Sequence, residues 1–208
     1  MARGRFITLE GGEAVGKSTQ AKRLAAMLRA RGHDVVETRE PGGSPGAEAI
    51  RGLLLSGAVD RWDARAEALL FAAARSDHVA RAILPALEAG QWVLCDRFVH
   101  SSIAYQGLVG GLGEAQIAAL HEVGSQGLLP DRTLILHLGS AEAARRMSLR
   151  DGDRPDRFGA RDAVYHLAVD RAFEELAAAD PARLRLIDAA GEADEVTSRL
   201  LQALGDLL

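Results

Sequence analysis

The sequence contains no asparagine, a single cysteine (Cys95) and no long run of apolar residues. One cysteine excludes an intrachain disulfide and is typical of a protein from a reducing compartment. No apolar run approaches the roughly 20 residues that a membrane span needs, and residues 1–10 pass directly into a strand pattern. We therefore expect a soluble, cytoplasmic protein with no membrane partner.

The sequence also lacks the basic excess that nucleic-acid-binding surfaces usually carry, because its net charge is −4. We therefore expect no nucleic-acid partner. An anionic ligand would have to be bound by a local group of arginine and lysine side chains and not by the overall field of the protein.

The 208 residues suit one domain spanning 1–208. Short apolar runs alternate with alanine- and leucine-rich helical patterns, which predicts an α/β fold with a parallel five-stranded sheet and helices on both faces. The predicted strands are 5–10, 35–38, 92–96, 133–138 and 184–187. The predicted helices are 17–31, 45–55, 65–89, 114–126, 141–149, 160–178 and 192–207.

One polar segment interrupts this pattern between two helical stretches. It reads RDGDRPDRFG, covers about 150–159, and is rich in arginine and aspartate. We predict that it forms a short lid over the domain. The alternative is a solvated surface loop.

A glycine-rich turn follows the first predicted strand and opens the first helix. Its sequence GGEAVGKS fits the P-loop pattern G-x-x-x-x-G-K-[ST] in the structural context that the pattern requires. Glycines allow successive N–H groups to point at phosphate oxygens, while the lysine contacts the β- and γ-phosphates and the serine hydroxyl binds Mg²⁺. We predict an ATP site made of Gly11, Gly12, Glu13, Ala14, Val15, Gly16, Lys17, Ser18 and Thr19.

Two other strand ends carry charged residues. Arg39 lies in TREPGGS, and Asp96 and Arg97 follow QWVLC. Each has an ordinary interpretation alone, as a solvated arginine or a capping aspartate. Because the carboxyl ends of parallel strands share one edge of a sheet, we expect them to lie beside the P-loop. Arginine forks suit phosphate oxygens, and Asp96 is placed to organise Mg²⁺ directly or through water.

So many cations near one triphosphate predict a second anion, which is most simply a phosphorylated acceptor. The second pKa of a phosphomonoester is about 6, so its attacking oxygen is largely deprotonated at neutral pH. Such an acceptor needs no general base, and catalysis reduces to alignment and neutralisation of charge. Accordingly, no histidine or carboxylate stands out as a base.

Phe71 and Arg75 lie four positions apart in EALLFAAARSDHV and therefore share one helix face. Taken alone, they are interpreted most simply as a core phenylalanine with an arginine extending past it. The functional alternative is a ring that stacks on a base while the guanidinium binds the base edge.

Three alternative functions can be compared with phosphoryl transfer from ATP to this phosphorylated acceptor. The first is a kinase for another small acceptor, such as a deoxynucleoside or a different monophosphate. A deoxynucleoside would need a carboxylate base such as Glu10 or Glu40, whereas paired arginines favour a phosphorylated acceptor. A GTP-binding switch would use an Asn-Lys-x-Asp motif, which a chain without asparagine cannot contain. A non-enzymatic ATP-dependent regulator would leave the second cationic cluster without a role.

The P-loop, REPGGS, FAAAR and DRFVHSSIAYQG together resemble the bacterial thymidylate kinases, which phosphorylate dTMP with ATP. The resemblance extends from about Phe6 to the C-terminal helices, and the string from Asp96 to Gly107 is its most specific part. It implies a fold like that of the P-loop nucleoside-monophosphate kinases, use of Mg²⁺, and a homodimer.

The resemblance assigns roles in phosphate and base binding. Arg39 and Arg97 would bind the dTMP phosphate. Phe71 would stack on thymine, and Arg75 would bind the edge of the base.

Further positions match the family in the sugar and base pocket. Tyr105 would crowd the 2′ position of the sugar and so select deoxyribose, while Glu13 would contact the 3′-hydroxyl. Ser101 and Gln106 would line the base pocket. Pro41 lies where the family often has a cis peptide.

The family supplies a catalytic arginine either from the P-loop or from the lid. Ala14 occupies the P-loop position here, so the resemblance implies the lid variant. Arg157 matches best, with Arg154 and Arg150 as alternatives. On this assignment Arg157→Ala would lower kcat far more than it raises the KM for dTMP.

Overall fold

The computed structural model describes residues 3–151 and 156–208, apart from the side chains of residues 150 and 151. Its five strands form one parallel sheet in the order β2-β3-β1-β4-β5. The strands are β1 Phe6–Glu10, β2 Val35–Arg39, β3 Trp92–Asp96, β4 Arg132–His137 and β5 Leu184–Asp188. The predicted α/β class and parallel sheet are confirmed, and every predicted strand end falls within one residue of the observed end.

The central position of β1 explains its sequence. All five of its residues are buried, as expected for a strand covered on both faces and paired on both edges. In the register of the sheet, Leu9 of β1 and Arg39 of β2 both pair with Asp96 of β3. The ends of these three strands therefore form one row, and the segments that follow them meet above it.

The helices cover both faces of the sheet. They are α1 Lys17–Ala30, α2 Pro45–Leu55, α3 Ala64–His78, α4 Leu84–Glu88, α5 Val99–Ser102, α6 Glu114–Ser125, α7 Ser140–Asp151, α8 Ala163–Ala179 and α9 Ala193–Ala203. Two π-helical segments, Val79–Ile83 and Ile103–Val109, continue α3 and α5. Leu24 and Leu28 of α1 pack with Leu200 of α9 on one face, while Phe173 of α8 lies in the core of the other.

The helices differ from the sequence prediction at several places. The helix over 99–109 was not predicted. α8 begins at Ala163 and not at 160, because Asp162 caps it by accepting a hydrogen bond from the backbone N–H of Tyr165 at 2.8 Å. The last helix ends at Ala203, four residues before the predicted end.

The predicted lid begins inside a helix, since α7 extends to Asp151. Residues 152–155 lie outside the described part of the chain. Beyond them, Arg157 and Phe158 are buried, so the end of this segment is anchored in the domain. Among the described residues, no helix is long and apolar enough to cross a membrane.

Candidate active site

A cavity of about 500 Å³ opens above the carboxyl ends of β1, β2 and β3. Most residues that the sequence predicted for the site line it: Glu13, Ala14, Gly16, Lys17, Ser18, Thr19, Arg39, Phe71, Arg75, Asp96, Arg97, Ser101, Tyr105 and Gln106. Gly11, Gly12 and Val15 of the P-loop are not among the lining residues, and the Val15 side chain lies in the hydrophobic core. The structure therefore brings together residues from the P-loop, β2, α3, β3 and the helix that follows β3.

The P-loop joins β1 to α1 through residues with positive φ: Gly11 at 126°, Ala14 at 57° and Gly16 at 98°. Gly11 also allows close packing, because a Cβ there would lie 2.3 Å from the carbonyl oxygen of Leu136. The Lys17 ammonium donates to the carbonyl oxygens of Gly12 at 2.5 Å and Gly11 at 3.2 Å. Burial lowers the pKa of Lys17 to about 8. The loop thus holds a cation at the start of a helix, where anions bind favourably.

Ser18 and Asp96 meet at the edge of the cavity. The Ser18 hydroxyl donates to a carboxylate oxygen of Asp96 at 2.6 Å. A hydroxyl and a carboxylate are hard oxygen ligands, and Mg²⁺ typically takes one or two such groups together with phosphate oxygens and water. Among the described residues, no group of three His, Cys, Asp or Glu side chains could hold a metal ion. One hydroxyl and one carboxylate would suit a metal ion that takes its other ligands from phosphate and water.

Arg97 is the centre of a partly enclosed cluster on the acceptor side. Its guanidinium donates to Glu13 Oε1 at 2.5 Å, Gly11 O and Ser101 Oγ at 3.0 and 3.1 Å, and Tyr105 Oη at 3.3 Å. Although burial alone would lower the pKa of Arg97, neighbouring Tyr105 and Glu13 raise it above its usual value. The backbone of Arg97 has a φ of 72°, which is uncommon for a residue with a side chain. This turn aims a permanent cation at the cavity beside the P-loop.

Glu10 supports this turn from below. One of its carboxylate oxygens accepts from the N–H groups of Phe98 at 2.8 Å and Ser101 at 3.2 Å, and the other accepts from Ser101 Oγ at 2.5 Å. Burial raises the pKa of Glu10 to about 7. With its oxygens bonded in this way, Glu10 stabilises the segment that carries Arg97 and is not directed at an acceptor as a base.

The carboxylate of Glu40 is likewise occupied by contacts within the protein. It accepts from Arg75 Nε at 2.7 Å and lies 3.0 Å from His78 Nδ1. Arg75 is further fixed by donating to Phe98 O and Ser102 Oγ, at 3.1 and 3.0 Å. Glu40 therefore orients Arg75, and neither glutamate favours the deoxynucleoside-kinase alternative.

Arg39 lies at the open side of the cavity with 56% of its side chain exposed. It donates to Glu48 at 3.0 Å, whose pKa is lowered chiefly by the N–H of Gly43 and also by Arg39. Arg51 of α2 also lines the cavity and donates to the carbonyl oxygen of Pro41 at 2.6 Å. Arg51 was not predicted from the sequence, although its position two helical turns after REPGGS would have indicated it.

The structure does not bring Arg157 to the P-loop. Its guanidinium is buried and donates to the carbonyl oxygens of Leu54, Ala58 and Val59 and to the carboxylate of Glu67. The side chain of Arg150 and all of Arg154 lie outside the described residues. The two aromatic rings of Phe71 and Phe158, with centroids 5.8 Å apart, both line the cavity.

Arg146, which sequence analysis also missed, lines the cavity from α7 with 32% of its side chain exposed. It donates to Glu142 at 2.8 Å, one helical turn earlier. Arg146 lies inside α7, four residues before Arg150, and no motif in the sequence distinguishes it from the other arginines of that helix.

Comparisons with known proteins agree with this geometry. The sequence profile of the Thymidylate kinase family matches residues 9–200. A protein of Rhizorhabdus wittichii named thymidylate kinase is 65% identical over 205 residues, covering 99% of both chains. One of Bradyrhizobium sp. with the same name is 50% identical, covering 99% of this chain and 92% of its own.

A solved structure is similar over the same length. The crystal structure of thymidylate kinase from Ehrlichia chaffeensis superposes with a TM-score of 0.79 at 30% identity, covering 97% of this chain and 99% of its own. Together with the P-loop, the arginines at the strand ends and the profile match, these relatives show that the chain belongs to the thymidylate kinase family, whose reaction is transfer of a phosphoryl group from ATP to dTMP.

Proposed function

We propose that this chain phosphorylates dTMP to dTDP for dTTP synthesis by means of two anion sites that meet at Asp96. The observation that carries the proposal is the row of strand ends, where the P-loop after β1 lies beside Arg39 of β2 and Asp96–Arg97 of β3. ATP would bind with its β- and γ-phosphates at Lys17 and the N–H groups of the P-loop. The γ-phosphoryl group then faces the acceptor side.

Arg39 and Arg97 would bind the phosphate of dTMP, with Arg51 close enough to contribute. Two or three guanidinium groups neutralise the charge that accumulates when two phosphates approach each other. The attacking oxygen is already deprotonated, so the chain needs only to align it with the γ-phosphate. Glu10 and Glu40 are both occupied by hydrogen bonds within the protein, which agrees with a reaction that uses no general base.

The nucleoside of dTMP would lie between Phe71 and the helix after β3. The Phe71 ring would stack on thymine, while Arg75, Ser101 and Gln106 would meet the base. Tyr105 and Glu13, which share a hydrogen bond of 3.3 Å, would face the sugar, and the Tyr105 ring would crowd a 2′-hydroxyl.

Ser18 and Asp96 would hold Mg²⁺, which supplies charge neutralisation between the β- and γ-phosphates when bound. Arg146 would supply the lid cation, because it lies at the cavity and Arg157 does not. We therefore transfer to Arg146 the role that the family pattern assigned to Arg157.

The protein would act in the cytoplasm as a homodimer. Helices α3 and α6 pack closely, with Gly124 against the backbone of Ala72, and both expose large apolar side chains, Leu69 at 57% and Val123 at 87%. Exposed apolar side chains on packed neighbouring helices are typical of protein–protein contacts. Sedimentation of the purified protein would test this, and a monomer at micromolar concentration would contradict it.

The function itself is tested by coupled ADP release with Mg·ATP and a set of acceptors. These are dTMP, dUMP, the ribose analogue of dTMP, AMP and thymidine. We expect rapid turnover with dTMP and little with the ribose analogue, AMP or thymidine. Equal rates with thymidine would mean that Arg39 and Arg97 hold no acceptor phosphate, and the proposal would fail.

A further inference from the structure

A buried ion pair lies behind the base pocket and joins it to the anchored end of the lid segment. Arg157 Nη2 donates to Glu67 Oε2 at 3.0 Å, and the two side chains are only 1% and 6% exposed. The other carboxylate oxygen, Glu67 Oε1, accepts from Gln106 Nε2 at 2.9 Å. Gln106 in turn lines the cavity. The three side chains form a row that runs from residue 157 to the wall of the pocket.

Arg157 fixes the position of this carboxylate. Its remaining donors bind the main-chain carbonyl oxygens of Leu54, Ala58 and Val59 at distances of 2.7 to 3.1 Å. A guanidinium with partners on all sides cannot turn to follow a moving neighbour. Glu67 is therefore held in one place, with one oxygen directed to Arg157 and the other to Gln106.

The charge of Glu67 determines which end of the Gln106 amide faces the cavity. A carboxylate only accepts hydrogen bonds, so Gln106 has to turn its NH₂ group towards Glu67. The carbonyl oxygen of Gln106 is then the end that remains for a ligand. Arg75, on the same wall, offers only donors. The pocket therefore presents an acceptor at Gln106 and a donor at Arg75.

We infer that Glu67 and Arg157 are positioning residues that select the class of base by fixing the polarity of Gln106. This inference rests on the proposed function, because it places the base of a nucleoside monophosphate at this wall. Thymine and uracil carry a carbonyl oxygen beside an imide N–H, which complement Arg75 and Gln106. Cytosine carries an amino group beside an unprotonated ring nitrogen, so it meets like groups at both positions.

The decisive variant is Glu67→Gln, which keeps the size of the side chain. Its amide oxygen can still accept from Arg157, so its NH₂ group must face Gln106. Gln106 would then turn its oxygen to position 67 and present NH₂ to the cavity. We expect the ratio of kcat/KM for dTMP to that for dCMP to fall by about tenfold or more, since unmatched polar groups dominate this kind of selectivity.

Two controls distinguish a reversed Gln106 amide from general damage to the folded protein. In Glu67→Gln, the ratio of kcat/KM for dTMP to that for dUMP should stay within about twofold of its wild-type value, because both bases share the same imide edge. Asp206→Asn breaks a different ion pair, Arg132–Asp206 at 2.7 Å, away from the cavity, and should leave both ratios unchanged. An equal loss for dTMP and dCMP in Glu67→Gln would mean a purely structural role and would overturn the inference.

Two further variants keep the test decisive. If Glu67→Gln does not fold, the joint replacement Glu67→Met with Arg157→Met removes both charges, a change that buried pairs tolerate better than loss of one partner. It should also lower the dTMP-to-dCMP ratio, because the Gln106 amide is then unfixed. In a Gln106→Leu background, Glu67→Gln should have no further effect on that ratio, and a further effect would contradict the inference.

The wild-type protein distinguishes the two levels of proposal. If it fails to phosphorylate dTMP, the proposed function is wrong. If it phosphorylates dTMP while Glu67→Gln leaves the dTMP-to-dCMP ratio unchanged, only the selection mechanism is wrong.

Discussion

The arginines on the two sides of the cavity are held in different ways. At the wall of the base pocket and directly behind it, Arg75 and Arg157 have side chains 4% and 1% exposed, and each is bonded to a buried glutamate. On the open side, Arg39 and Arg146 are 56% and 32% exposed and pair with glutamates on their own surface. The first group is fixed before a ligand arrives, whereas the second group can still move.

This difference has an energetic basis. An exposed ion pair such as Arg39–Glu48 contributes about 0–1 kcal/mol, so a phosphate can displace Glu48 at little cost. Removing one member of a buried pair leaves an uncompensated charge and costs about 3–5 kcal/mol. The base is therefore met by a rigid surface, whereas the phosphates would be bound by one enclosed cation, Arg97, and by exposed side chains that can move during the reaction.

Replacement of Arg97 should have the largest effect on activity, because its side chain is partly enclosed and would contact the phosphate directly. Arg97→Ala should lower kcat/KM for dTMP by about 10²–10³-fold, because a fixed cation beside the transferred group is lost. Arg39 is the exposed counterpart of Arg97. Arg39→Ala should also lower kcat/KM for dTMP, but by a factor about ten times smaller in the same steady-state assay. Equal losses at the two positions would remove the distinction between fixed and mobile arginines.

Asp96 lies where the two anion sites meet, and Asp96→Asn tests whether its carboxylate binds a metal ion. The variant keeps the shape of the side chain and an oxygen near Ser18 but loses the charge. We expect the Mg²⁺ concentration at half-maximal rate to rise by about 10–100-fold, as for other changes to metal ligation. A titration with Mg²⁺ at fixed ATP measures it, and an unchanged midpoint would contradict a role for Asp96.

Arg146 and Arg157 form a matched pair for the lid cation. Arg146→Ala should lower kcat by about tenfold or more with little change in the KM for dTMP, since it acts on the phosphates in the transition state. Arg157→Ala should instead lower the melting temperature, because Glu67 loses its buried partner. A large fall in kcat at Arg157 alone would restore the role first expected from the lid sequence.

Glu10→Gln should change the pH dependence of stability. The folded pKa of Glu10 is about 7 against 4.5 in the unfolded chain. Between these values the folded state keeps a proton that the unfolded state releases, so the free energy of unfolding falls as pH rises, by up to about 3 kcal/mol. Glutamine removes this contribution.

Urea unfolding at about pH 5 and about pH 7.5 measures the effect on both proteins. The stability of Glu10→Gln relative to the wild type should increase with pH across this window. Parallel curves would show that Glu10 does not titrate there.

The parts of the fold that depend on local pattern could be predicted from the sequence. Short apolar runs between helical patterns predicted all five strands, including the partly exposed β2 and β5, and the P-loop with the two other strand ends predicted one side of the cavity. The helix over 99–109 was missed because its residues were interpreted as a binding motif, and no periodicity distinguishes its π-helical part Ile103–Val109. Arg157 was placed by sequence motif, whereas its position is set by Glu67, 90 residues away.

The contacts of Arg157 with the loop between α2 and α3 have a consequence for how this protein can change. Arg157 binds the end of α2 and that loop through main-chain carbonyl oxygens, those of Leu54 in α2 and of Ala58 and Val59 in the loop. Such contacts are indifferent to the side chains that the loop carries. Ala58 and Val59 can therefore change identity over evolution or by design without loss of these contacts, but an insertion or deletion there would move the carbonyls and disturb the base pocket.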